Sequence, residues 1–131
     1  MKKMIVVLAA LLIVTAFVSA REVNLDKALQ MYNIAIKEGN VGLQSSAMFQ
    51  IAQVKAQYPE ANFSEIEKTL KKVSRSDENV VVKVRADLVL KYLQKSDLDV
   101  DMKNTKENEV LFFDRLYDAV MSDEMTTWAW R

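Results

Sequence analysis

The chain has 131 residues, carries 18 basic and 18 acidic side chains, and contains neither cysteine nor histidine. These two absences exclude disulfides, zinc sites built from cysteine and histidine, and catalytic triads or dyads that need imidazole. Its two glycines and one proline are few for an all-β chain, which needs frequent turns. The length favours a single domain, and the composition favours helices.

The first twenty residues have the three parts of a secretory signal peptide. Lys2 and Lys3 form a basic start, an almost wholly apolar stretch follows, and small residues lead up to Ala20, after which Arg21 is polar. This order predicts residues 1–20 as a signal peptide cleaved after Ala20, and an exported product that is periplasmic or secreted. Retention as a membrane anchor is the alternative, although the apolar stretch is slightly shorter than the ~20 residues that span a bilayer.

Residues 21–131 are predicted to form one all-helical domain, beginning with two helices. Apolar residues recur at helical spacing in two stretches, the first through Leu25, Ala28, Leu29, Tyr32, Ala35 and Ile36 and the second through Leu43, Ala47, Ile51, Val54 and Tyr58. Gly39 suits a left-handed position at the end of the first helix, and Asn40 is a suitable N-cap for the second. Pro59 ends the second helix, because proline disfavours helical geometry in the residue before it.

Two further helices are predicted between residues 64 and 95. Ser64 and Glu67 have the spacing of a capping box, in which each side chain accepts from the other residue's amide. After a turn at residues 77–79, the run from Val80 to Val84 has a strong β preference. We interpret it as the start of a fourth helix, because helical apolar spacing continues through Leu93 without a turn signal.

A polar loop is predicted at residues 96–108, before a fifth helix that begins near residue 109. Asp97, Asp99 and Asp101 have the spacing that opens an EF-hand calcium loop. The glycine and the bidentate glutamate that such a loop needs are replaced by Met102 and Asn108. We therefore interpret the segment as a solvated acidic loop, and we predict no metal or cofactor.

The chain is self-similar at an offset of 39 residues. In both copies an acidic residue is followed, after a gap of four residues, by an aliphatic residue and a polar one. An alanine follows after a gap of two residues, and a further aliphatic residue after a gap of three. The matching residues are Glu38, Leu43, Gln44, Ala47 and Ile51 in the first copy and Asp77, Val82, Lys83, Ala86 and Leu90 in the second.

This pattern resembles the HEAT family of helical repeats, whose second helices carry a turn acid, an aliphatic–basic pair, an alanine and a leucine. The copies cover about residues 25–58 and 64–95, with a partial third over 109–131. The first copy has Gln44 where a basic residue is usual. The resemblance implies a short stack of antiparallel helix pairs, with Ala47 and Ala86 at close helix crossings; a small helical bundle is the alternative.

Two surfaces are candidates for contact with a partner. The bases Lys68, Lys71, Lys72 and Arg75 fall at i, i+3, i+4 and i+7 and share one face of the third helix, either as a solvated face or as a site for an acidic partner or lipid headgroups. Trp128 and Trp130 either cover the open end of the stack or contact a partner.

The sequence therefore predicts a non-enzymatic protein-interaction module rather than an enzyme. Residues 21–131 carry two more acidic than basic side chains, a balance that indicates neither a nucleic-acid surface nor a polybasic membrane patch. Membrane contact is expected only through the signal segment. The alternatives are a membrane-anchored or membrane-surface envelope protein and, less favoured, a hydrolase using paired carboxylates such as Glu65 with Glu67.

Overall fold

The computed structural model describes residues 25–95, 98, 100, 102–105 and 107–129, without the side chains of residues 103 and 126–129. Throughout these residues the regular secondary structure is α-helical and no strand occurs, which confirms the all-α prediction. The structure does not describe the predicted signal peptide with its cleavage site at Ala20 and Arg21, nor Asp97, Asp99, Asp101 and Trp130. By its contacts the chain divides into two compact units after Met31, and the fold below is that of the second unit.

Six helices occur in the described residues. They are α1 (25–38), α2 (Val41–Gln57), α3 (Ser64–Ser76), α4 (Val80–Gln94), α5 (Met102–Thr105) and α6 (Glu109–Ala129). The valine-rich start of α4 is helical as predicted, while α5 is a single helical turn where we expected a loop. The fifth predicted helix is α6, which begins at Glu109 as expected and ends at Ala129.

Equivalent asparagines begin α2 and α4. Asn40 and Asn79 are the N-caps, and their Oδ1 atoms accept from the amides of Leu43 at 2.9 Å and Val82 at 3.1 Å. Each cap satisfies one of the amides that a helix N-terminus leaves without a partner. The two caps lie 39 residues apart, so the self-similarity of the sequence extends to the start of both helices.

Two predicted helix ends differ from the structure. None of the glycines in the described residues has a positive φ; Gly39 is needed instead because a Cβ atom there collides with the carbonyl oxygen of Ala35. The capping box is wrong, because α3 already begins at Ser64. Asn62 accepts from the Ser64 amide at 3.0 Å, and the Glu67 amide donates to the Phe63 carbonyl at 2.8 Å.

α4 is the central helix of the second unit, since α2, α3 and α6 all pack against it. α6 also packs against α2 and α5, so it contacts the second helix of both predicted copies. The core is formed by one face of each helix. Its fully buried apolar side chains include Ile36, Met48, Ile51, Leu70, Val82, Val89, Phe112 and Leu116.

Five of the six predicted repeat-packing residues are buried, namely Ala47, Ile51, Val82, Ala86 and Leu90. The prediction is wrong for Leu43, which is 53% exposed. Its neighbour Gln44 is buried instead, and Gln44 Nε2 donates to the Ile36 carbonyl at 2.9 Å and lies 3.5 Å from Asp77 Oδ2. α2 is therefore turned so that a polar side chain enters the core, where its donor has partners.

An aromatic cluster joins α6 to α2 and α4. The Phe112 ring has no exposed area, and its centroid lies 5.2 Å from that of Phe49, 6.3 Å from that of Tyr92 and 5.3 Å from that of Phe113. These inclined rings are in the range of favourable edge contacts. Arg85 lies 4.6 Å from the Phe113 centroid, and burial raises the pKa of the Tyr92 phenol. The cluster holds α6 on the two helices beneath it.

Candidate interaction surface

A groove of about 390 Å³ runs between α4 and α6, and we call it the α4/α6 groove. It is lined by Ser74 of α3, by Val80, Lys83, Val84, Asp87, Leu88 and Lys91 of α4, and by Tyr117, Val120 and Met121 of α6. Val80 is 70% exposed, while Val84, Tyr117 and Met121 are 40–45% exposed. The groove is thus apolar along its length, with charged side chains at its margins.

The apolar groove follows from the sequence of α4. A run of aliphatic residues around a helix places some side chains inward and others outward, because successive residues are about 100° apart. Val82 is buried, whereas Val80 and Val84 face solvent. An amphipathic helix has polar residues at such outward positions. The valine run is therefore a sequence signal for the groove as well as for a helix.

Ion pairs join α4 to α6 at one end of the groove. Lys91 Nζ lies 2.7 Å from Glu124 Oε1 and 3.1 Å from Asp87 Oδ2, and Lys95 pairs with Asp123. The hydrogen bond to Glu124 raises the pKa of Lys91, and the same hydrogen bond lowers the pKa of Glu124. These pairs hold the C-terminal half of α6 beside α4.

We expect Glu124→Gln to lower the free energy of unfolding at neutral pH by about 0.2–1 kcal/mol, the range measured for partly exposed pairs. Because the pKa of Glu124 is lowered in the folded chain, its contribution is present above the unfolded pKa and is lost as the pH falls through the folded value. Urea unfolding curves at neutral and strongly acid pH check this. A difference between wild type and E124Q that persists unchanged in acid would contradict it.

The four predicted bases of α3 lie together on its exposed face, as their spacing indicated. Lys68 Nζ is 3.4 Å from Glu65 Oε1, with both side chains about three-quarters exposed, so this pair contributes little to stability. α3 has acids in its first turn and Arg75 in its last. That order matches the helix dipole, which accounts for part of the basic face without any ligand.

A larger groove of about 940 Å³ lies beside the two turns that precede α2 and α4. Its walls carry Lys68 and Lys72 as well as Glu38, Glu65 and Asp77. Charges of both signs are interspersed there, and Val41 is the exposed large apolar side chain among the lining residues. The α4/α6 groove is therefore the better candidate for a protein contact.

The described residues hold no group of three or more side chains suited to a metal ion. The fully buried polar residues among them are uncharged, namely Gln44, Ser45, Thr69 and Thr105. The paired carboxylates considered for hydrolysis, including Glu65 with Glu67, accordingly lie where water reaches them. A catalytic acid needs a raised pKa, which burial in an apolar setting supplies.

Trp128 belongs to the last turn of α6, but its side chain is outside the described part, as is the whole of Trp130. Within the described helices, none combines the length and the apolar character needed to cross a bilayer. Comparison of the chain with models of protein families, with curated proteins and with solved structures found no match.

Proposed function

We propose that this chain is an exported, non-enzymatic protein-interaction module and that its partner docks in the α4/α6 groove. The observation that carries the proposal is the set of apolar side chains that α4 and α6 leave exposed on both sides of one groove. Exposed apolar patches with a polar rim are typical of interaction sites on otherwise polar surfaces. Export is proposed from the signal-like segment before Arg21.

The groove suits an amphipathic helix of a partner. Such a helix inserts apolar side chains at i, i+3, i+4 and i+7 into a groove between two helices. Burying one valine or methionine side chain completely is worth about 1.5–3 kcal/mol. Val84, Tyr117 and Met121 are each still partly exposed, so a partner that covers them gains a share of that free energy from each.

The HEAT-like organisation remains part of the proposal. The equivalent asparagine caps and buried alanines of α2 and α4 support it, and helical repeats act by presenting surfaces. A membrane-anchored envelope protein is the second candidate, favoured by the apolar N-terminal stretch. N-terminal sequencing of the exported product separates the two, since cleavage leaves Arg21 as the first residue.

The proposed function is tested by Val84→Glu, with Val81→Glu as the matched control. Both valines lie in the first turns of α4 and are about half exposed, but only Val84 lines the groove. A glutamate that a partner must bury without a counter-charge opposes docking strongly. We expect affinity capture from the exporting cell's envelope to retain a specific protein with both the wild type and V81E. The amount of this protein captured by V84E is expected to be at least about tenfold lower. Equal retention by all three chains would overturn the proposal.

A further inference from the structure

We propose that the partner in the α4/α6 groove is a second copy of this chain, so that the module acts as a homodimer. This inference rests on the proposed function and names the occupant of the same groove. The apolar stripe of α6, the charges around it and the small net charge of residues 21–131 support a second copy as the partner.

The outer face of α6 has the shape that the groove accepts. Val110, Tyr117, Met121 and Met125 are 40–72% exposed and are spaced by seven, four and four residues, which places them along one stripe of a helix. Tyr117 and Met121 also line the groove itself. One molecule therefore offers both an apolar ridge and the apolar groove beside it, which is what a two-fold interface requires.

The α4/α6 groove has basic residues near it, and the apolar stripe of α6 has acidic residues near it. Lys83 lies at the α4 side of the groove. Lys71 is an exposed base of α3, the helix that contributes Ser74 to the groove. Asp114 and Asp118 are exposed on α6. Asp114 lies within the apolar stripe, four residues after Val110, and Asp118 lies beside the stripe, on the side toward α5 that Arg115 shares. Neither the two lysines nor the two aspartates form an ion pair with a described residue. When α6 of one copy enters the groove of the other, its aspartates meet the lysines, and the symmetry forms each contact twice.

The chain's charge also permits self-association. Residues 21–131 carry only two more acidic than basic side chains, so two copies of the processed chain repel each other only weakly at long range. A stable interface buries about 800 Å² from each partner. The groove alone is short for this, and the contact has to extend over the outer face of α6, which brings in Asp114 and Asp118.

The test is a charge exchange measured by sedimentation over a concentration series, using the chain as its producing cell processes it. Wild type is expected to form reversible dimers. Lys83→Glu and Asp118→Lys each place like charges together and are expected to weaken dimerisation at least about tenfold. The double variant K83E/D118K restores opposite charges and is expected to return most of the affinity. Lys72→Glu, on the α3 flank that faces the other groove, is the matched control and leaves dimerisation unchanged.

Three outcomes overturn the homodimer. The first is a wild-type monomer at every concentration, and the second is a dimer that is insensitive to both single reversals. The third is a double variant that dimerises no more tightly than the single variants, although circular dichroism shows that all the chains are folded. If the wild type is monomeric and V84E still loses a captured protein that V81E keeps, the proposed function stands and only the second copy is wrong. If capture is also unaffected, both fail.

Discussion

Replacing Phe112 by alanine is expected to lower the free energy of unfolding by about 3–5 kcal/mol, the cost of emptying a buried aromatic site. Phe112 has no exposed area and contacts the rings of Phe49, Tyr92 and Phe113. The substitution removes the apolar surface and also the edge contacts of three neighbours. Because domains of this size have about 5–15 kcal/mol in total, F112A is expected to be only marginally folded.

Urea unfolding followed by circular dichroism measures this loss, and Tyr117→Ala is the matched control. Tyr117 is an aromatic residue of the same helix but is 45% exposed at the groove, so its loss leaves no closed cavity. We expect Y117A to cost well under half as much as F112A. Similar midpoints for the two variants would show that the aromatic cluster does not hold α6 in place.

The second large effect is expected for Ala86→Leu, at about 1–3 kcal/mol of destabilisation. Ala86 has no exposed area on α4, the helix against which α2, α3 and α6 pack. A leucine there needs volume that the neighbouring helices occupy, so side chains leave their preferred rotamers or the helices move apart. Thermal melting reports the change, since about 1 kcal/mol shifts the midpoint of a small domain by about 4–8 °C.

Ala56→Leu is the control for this overpacking. Ala56 lies on the exposed side of α2, where a larger side chain meets water and the expected change is within about 0.5 kcal/mol. The comparison separates steric crowding from the small difference in helix propensity between the two residues. A melt of A86L that matches the wild type would remove the argument for close helix crossing at this alanine.

All the described helices except the single turn α5, and the inward faces of α3 and α4, could be predicted from the sequence, because a period of 3.6 residues is a local property. The cap at Asn40 was predictable for the same reason. The burial of Gln44 in place of Leu43 was not, because it depends on how α2 is rotated against its neighbours. The capping box predicted at Ser64 does not form, because α3 already begins at Ser64 and Asn62 accepts from the Ser64 amide.

Of the two candidate surfaces, the basic face of α3 could be predicted from the sequence and the α4/α6 groove could not. The exposed basic face of α3 follows from the spacing of its three lysines and one arginine alone. The α4/α6 groove needs two helices that are separated by α5 and its flanking residues to lie side by side. No local sequence pattern predicts that α6 packs beside α4. The outward valines Val80 and Val84 were visible in the sequence, but only the position of α6 turns them into one wall of a groove.

The position of α6 also has a consequence for how the chain matures. α2 and α3 both pack against α4, and all three come before α6 along the chain. The ring that lies against both Phe49 of α2 and Tyr92 of α4 is nevertheless Phe112 of α6. A nascent chain that is released in order from a ribosome or an export channel leaves Phe49 and Tyr92 without this partner until its last described helix emerges. Interruption of synthesis before residue 109 thus yields a product without a closed core, and cellular proteases distinguish it readily from the finished molecule.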